Sequence, residues 1–108
     1  MKNAKDILTI PGIHYFNGWD NLQKYLETIG NPPYRIQDGL DLQDTPITSL
    51  GNLESVGGYL NLHLTKITSL GKLKSVGGYL DLNNTPISKK YTEKEIRKIA
   101  NIIGSVYL

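Results

Sequence analysis

The sequence predicts an α/β fold in which short repeats stack as a solenoid, with parallel strands in the middle and helical segments at both ends. Three observations predict it. Residues 40–59 read LDLQDTPITSLGNLESVGGY and residues 60–79 read LNLHLTKITSLGKLKSVGGY, identical at 14 of 20 positions without a gap. A third copy opens at Leu80 as LDLNNTPIS and then departs. Each flank carries apolar residues at the spacings of 3 and 4 that one face of a helix requires.

Residues 1–35 are expected to form an N-terminal helical cap. Phe16, Trp19, Leu22, Leu26 and Ile29 make its apolar stripe, with Asn17 placed as the N-cap and Gly30 as the stop before Asn31-Pro32-Pro33. Trp19, the single tryptophan, is expected to cover the first repeat. The first dozen residues fit no single element. Ile36 shares the register of Val56 and Val76, so repeat packing is expected to begin there and to run over residues 36–88. In each copy a period-2 leucine pair (Leu40 and Leu42, Leu60 and Leu62, Leu80 and Leu82) reads as a short strand with one buried face. Leu50, Leu53 and Val56, then Leu70, Leu73 and Val76, supply buried anchors on the return path, with Ile47, Ile67 and Ile87 just past the strand. Gly51, Gly71 and the pairs Gly57-Gly58 and Gly77-Gly78 mark turns. One copy cannot bury its own apolar face, whereas stacked copies share a continuous core.

Residues 89–108 are expected to form a C-terminal capping helix and a final strand. Thr92-x-x-Glu95 is a capping box, Ile96, Ile99 and Ile103 form a stripe, and Gly104 is the expected stop. Val106-x-Leu108 then recovers the strand pattern.

Composition removes several function classes. A chain of 108 residues with 39% hydrophobic and 20% charged residues is one domain and not a disordered tail. No apolar run approaches the roughly 20 residues of a transmembrane helix, so no membrane partner is expected. The start has lysines but no long apolar segment, so no secretory leader is expected. With no cysteine there is no disulfide, thiolate metal site or cysteine nucleophile, which fits a reducing cytoplasm.

The spacing Leu60-x-Leu62-x-x-Thr65-x-Ile67-x-x-Leu70 resembles the leucine-rich repeat, L-x-L-x-x-N-x-L-x-x-L. Thr45, Thr65 and Thr85 stand where that family has an asparagine that satisfies backbone groups at the bend, a task a hydroxyl can share. The wording ITSLG…VGGYLDL and the tail NTPISKKYTEKEIRKIANIIGSVYL resemble short leucine-rich-repeat proteins of unassigned role encoded in bacteriophage genomes. The resemblance covers residues 36–108. It implies a leucine-rich-repeat-like solenoid, residence in the host cytoplasm, and a host factor or host defence component as partner.

Between the first two copies, substitutions fall at 41/61, 43/63, 44/64, 46/66, 52/72 and 54/74, never at an anchor. The exposed columns are therefore expected to be Gly39, Tyr59, Tyr79; then Asp41, Asn61, Asp81; then Gln43, His63, Asn83, with Asp44, Leu64 and Asn84 beside them. Tyrosines, amides and carboxylates without Lys or Arg suit recognition of a polar or basic protein partner. Chemistry is not expected. Asp41 and Asp81 would lie two repeats, about 10 Å, apart on an open face, too far and too wet to split their pKa values. His63 has too few neighbouring ligands for a metal, the serines lack a nucleophile elbow, and the glycine pairs lack the Lys-Ser/Thr of a phosphate loop. No cofactor is expected. Ile7 to Ile13, reading ILTIPGI, resembles the opening of a helix-hairpin-helix, but the chain continues HYFNG where that motif expects Gly-x-x-x-Ala, so an ordinary turn is expected. Charge is uneven, net −3 over residues 1–60 and +5 over residues 61–108. Lys89, Lys90, Lys94, Arg97 and Lys98 cluster in the C-terminal cap, and the alternative function is nucleic-acid binding there. A purely structural or assembly role, including a homo-oligomer, is a further alternative.

Overall fold

A computed structural model describes residues 7–108, so the first six positions of the expected N-terminal cap lie outside the described residues. The chain is a mixed α/β protein with parallel strands in two sheets and two α-helices. The first sheet runs β1 (Leu8–Ile10), β2 (Tyr34–Ile36), β4 (Leu53–Val56), β6 (Ser75–Val76) and β8 (Asn101–Ile102). The second runs β3 (Leu40–Asp41), β5 (Leu60–Asn61), β7 (Leu80–Asp81) and β9 (Val106–Tyr107). The helices are α1 (Trp19–Thr28), between β1 and β2, and α2 (Glu93–Ile99), between β7 and β8.

The 20-residue period is the register of both sheets. Leu40 pairs with Leu60 and Leu60 with Leu80, while Ser55 pairs with Ser75 and Val56 with Val76. Ile36 pairs with Val56, the register its sequence position implies. The leucine pairs face inward and are at most 2% exposed. Val56, Val76, Leu53 and Leu73 close the core from the first sheet, and Leu50, Leu70, Ile67 and Ile87 from the segments after the second. The sequence reading assigned Leu53 and Val56 to a return path. They lie instead on a strand, because parallel neighbours one period away supply the ladder partners that a two- to four-residue segment needs.

Between the sheets the chain turns at Gly57-Gly58 and Gly77-Gly78. None of these four glycines has positive φ. They are required by close approach: a Cβ at Gly57 would overlap the Gln37 carbonyl oxygen, and one at Gly77 the Gly57 carbonyl oxygen. Gly51 and Gly71 differ, with φ of 64° and 59°. There the left-handed backbone itself favours glycine.

The two ends depart from expectation in instructive ways. The first dozen residues contain β1, whose Ile10 pairs with Ile36. A strand thus stands where a helix-hairpin-helix would need its first helix, which removes that reading. Asn17 is not the N-cap of α1: it ends a 3-10 turn (Ile13–Phe16) in the left-handed conformation, φ 58°, and Gly18 occupies the cap without a side-chain hydrogen bond. Leu22 and Leu26 are buried, Phe16 and Trp19 pack partly against the core, and Ile29 is exposed.

At the other end the Thr92/Glu95 capping box forms in both directions. Helix α2, however, stops at Ile99 and not at Gly104. Its buried stripe is Ile96 and Ala100, whereas Ile99 and Ile103 are exposed. Ile103 and Gly104 instead take the places of Gly77 and Gly78, since Ile103 N–H donates to Val76 O and Gly104 N–H to Gly78 O, each at 3.0 Å. The helix is therefore the return segment before a last strand pair, and β8 and β9 end the two sheets.

Two expectations follow for stability. Leu62→Asp places an unpaired carboxylate at a position with no solvent exposure, so unfolding free energy should fall by several kcal/mol (about 3–5). An unchanged melting temperature would contradict the inward register. Tyr34 is buried, its hydroxyl donating to Leu50 O at 3.1 Å and accepting from Gln23 Nε2 at 3.2 Å. Burial pushes its pKa up to about 12 against an ordinary 10, partly offset by the Gln23 bond. The folded state therefore favours the neutral phenol. That stabilisation is complete below pH 10 and disappears as pH rises to about 12, up to about 3 kcal/mol. Tyr34→Phe should flatten the alkaline loss of stability measured by denaturant titration across that window, and equal slopes would contradict it.

Candidate functional site

The outward side of the second sheet is built by alternation. With Leu60 and Leu62 inward, Tyr59, Asn61 and His63 must point away, and the same holds one period on for Tyr79, Asp81 and Asn83. The parallel register then aligns them in columns with rungs about 4.8 Å apart.

The tyrosines form a ladder. Tyr59 and Tyr79 stack with centroids 5.1 Å apart and planes within 9°. Tyr107 meets Tyr79 edge-on at 5.9 Å and 69°. Gly39 occupies the matching place in the preceding repeat, where a Cβ would overlap the Tyr59 ring. The stacking covers part of each ring: Tyr79 is half-buried, Tyr59 is 36% exposed and Tyr107 is 47% exposed. Sequence reading missed Tyr107. The signal was present, because Val106-x-Leu108 in strand register puts residue 107 in line with Asp81, and the two do pair.

The column Asp41, Asn61, Asp81 does local work as well. Each side chain bends back and accepts the backbone N–H two residues on: Gln43 at 3.1 Å, His63 at 3.1 Å and Asn83 at 2.9 Å. These turns end the two-residue strands and lead into Asp44, Leu64 and Asn84, all left-handed with φ of 61°, 59° and 59°. One residue further, Thr45, Thr65 and Thr85 donate their hydroxyls to the carbonyls of Leu42, Leu62 and Leu82 at 2.7–2.8 Å. The threonines thus bind the bend from within, Thr65 and Thr85 being almost wholly buried.

Leu64 is the anomaly in this series. Asp and Asn tolerate a left-handed backbone because a short polar side chain can bond locally, whereas leucine gains nothing there. Its side chain is 49% exposed, so burial does not compensate.

The Tyr79 hydroxyl titrates above its ordinary range, because of desolvation first and then the nearby Tyr59, Asp41, Asp81 and Tyr107. Among the described residues, the outward positions of this sheet contain no Lys or Arg. No group of three or more His, Asp or Glu able to hold a metal occurs among the described residues. No helix among them is long and apolar enough to cross a membrane.

The basic residues of the C-terminal region do not form one patch of equivalent charges. Arg97 is engaged within the fold. Its Nε pairs with Glu93 at 2.9 Å, and its two terminal nitrogens donate to Ile102 O at 2.8 Å and Gly104 O at 2.9 Å. Arg97 therefore ties α2 to the turn between β8 and β9. Lys89, Lys90, Lys94 and Lys98 are exposed, with the Lys90 ammonium 5.8 Å from the Tyr91 ring centre. A groove of about 180 Å³ between α2 and the preceding repeat is lined by Ser69, Leu70, Gly71, Ile87, Tyr91, Ile96 and Ile99, without an acid–base pair.

The Leu64 anomaly generates a measurement. Leu64→Asn should raise stability by about 1 kcal/mol, because asparagine suits the left-handed backbone and no buried apolar area is lost. A melting temperature below that of the parent protein would show that the leucine is packed.

Comparison with protein-family models, with curated proteins and with solved structures finds no match to this chain.

Proposed function

We propose that this protein is a short leucine-rich-repeat-like solenoid that acts without catalysis, as an interaction module engaging a protein partner with the outer face of its second sheet. The observation that carries the reading is the Tyr59–Tyr79 stack on that face. Two rigid aromatic rings, each with an apolar body and a polar tip, offer contact area at low entropic cost. Their neighbours Asp41, Asn61, Asp81, Gln43, His63 and Asn83 add hydrogen-bonding groups around them.

The variation between repeats supports the same reading. Residues 41/61, 43/63 and 44/64 differ between copies that are otherwise nearly identical, while the inward leucines do not. A leucine at position 64, in a backbone conformation that suits Asp or Asn better, is an apolar group held outward at some cost to stability. Against catalysis stands the local bonding of the carboxylates: Asp41 and Asp81 each hold a turn N–H, and the face is open to water. The resemblance to phage-encoded leucine-rich-repeat proteins makes the host cytoplasm the setting and a host factor or defence component the partner.

The test is a double substitution, Tyr59→Ala with Tyr79→Ala. Removing the stack should lower stability by only about 1 kcal/mol, while a partner captured from host lysate by the parent protein should be lost. Retained capture, or a chain that no longer folds, would overturn the assignment of this face.

A further inference from the structure

We propose that the outer face of the second sheet takes a cationic, proline-rich segment in the left-handed extended conformation, with Lys or Arg at every third position. This rests on the reading of that face as an interaction surface and names the chemistry of its partner.

Charge complementarity selects the sign. Asp41, Asp44 and Asp81 lie on or beside the face, and no described outward residue of the sheet is Lys or Arg. One oxygen of Asp81 holds the Asn83 N–H, and the other has no hydrogen-bond partner among the described residues. A cation between Asp41 and Asp81 would also lie beside the Tyr59–Tyr79 pair, whose ring faces attract positive charge. An anionic segment would meet repulsion from every side of the same column.

The spacing selects the conformation. Along the column the order is Asp41, Asn61, Asp81, so charge recurs every second rung, about 9.6 Å apart. In a left-handed extended chain every third residue returns to the same side after about 9.3 Å. In a β-strand the same-side repeat is about 6.7 Å, which falls between rungs. Proline favours the former conformation, and its apolar ring suits contact with tyrosine. Leu64, apolar and exposed between Asp44 and Asn84, adds a contact for an uncharged residue between the two cations.

The repeats themselves supply a clean probe. Asn61 holds its turn with the same amide-oxygen geometry that Asp41 and Asp81 achieve with a carboxylate, accepting from His63 N–H at 3.1 Å. Asp41→Asn with Asp81→Asn therefore removes both charges and keeps both turns.

The experiment is a titration followed by backbone amide shifts and tyrosine fluorescence. It uses three synthetic proline-rich peptides of equal length: arginine at every third position, arginine at every second position, and glutamate at every third position. The proposal expects the first peptide to perturb the Tyr59, Tyr79 and Asp81 signals. It expects binding about fivefold tighter than for the second peptide, weakened by added salt and by the Asp41/Asp81 double substitution. Equal binding of the two arginine peptides, or no effect of the double substitution, overturns it. Perturbation of the same tyrosines by the glutamate peptide overturns the cationic partner while leaving the interaction face standing. Shifts confined to the exposed lysines of α2 or to other surfaces, or no shifts with any peptide, overturn this proposal. The interaction face itself is judged separately, by the tyrosine double substitution and lysate capture.

Discussion

The structure depends on backbone meeting backbone at the corner between the sheets. At Gly57-Gly58 and Gly77-Gly78 successive repeats approach so closely that no Cβ fits over the carbonyl of the repeat before. That contact lets Gly57 N–H reach Ile36 O and Gly77 N–H reach Val56 O, each at 2.8 Å. With the corner fixed, the short strands on either side have no freedom of register. Segments of two residues could not otherwise persist, since isolated they lack enough ladder bonds to offset their ordering entropy.

From this corner the division of labour follows. Inward positions must repeat, because each leucine packs against the same residue one rung away, and any change of volume would be felt in both neighbours. Outward positions are released from that demand but not from local geometry. Asp41, Asn61 and Asp81 all satisfy the turn after the strand. They could therefore differ in charge without differing in fold. The acidic and aromatic character of this face is thus carried by residues whose structural duty leaves their charge free to vary.

The ends solve a different problem with the same device. α1 and α2 both replace the irregular return segment of a repeat, and both keep two apolar residues against the core, Leu22 with Leu26 and Ile96 with Ala100. Arg97 shows how the longer return is held in place: its guanidinium binds two carbonyls at the last turn, where the chain no longer follows the 20-residue wording. A charge cluster in the sequence is in this instance one structural arginine among exposed lysines.

The sequence by itself determined the stacking register, the inward leucines, the capping box and the outward tyrosine pair, because each is a consequence of periodicity or of neighbours within four residues. It did not reveal the first sheet, since β4 and β6 are too short to show alternation and owe their existence to partners 20 residues away. It placed Asn17 at a helix start and Gly104 at a helix end, because local propensity cannot tell a helix cap from a tight turn in a rung. It read Arg97 as free charge and left Leu64 unremarked, because guanidinium partners and the sign of φ are settled by how the last repeats pack. Tertiary structure decided what distant backbone supplied, namely ladder partners, close approach at the glycine corner, and the aromatic ladder that Tyr107 joins.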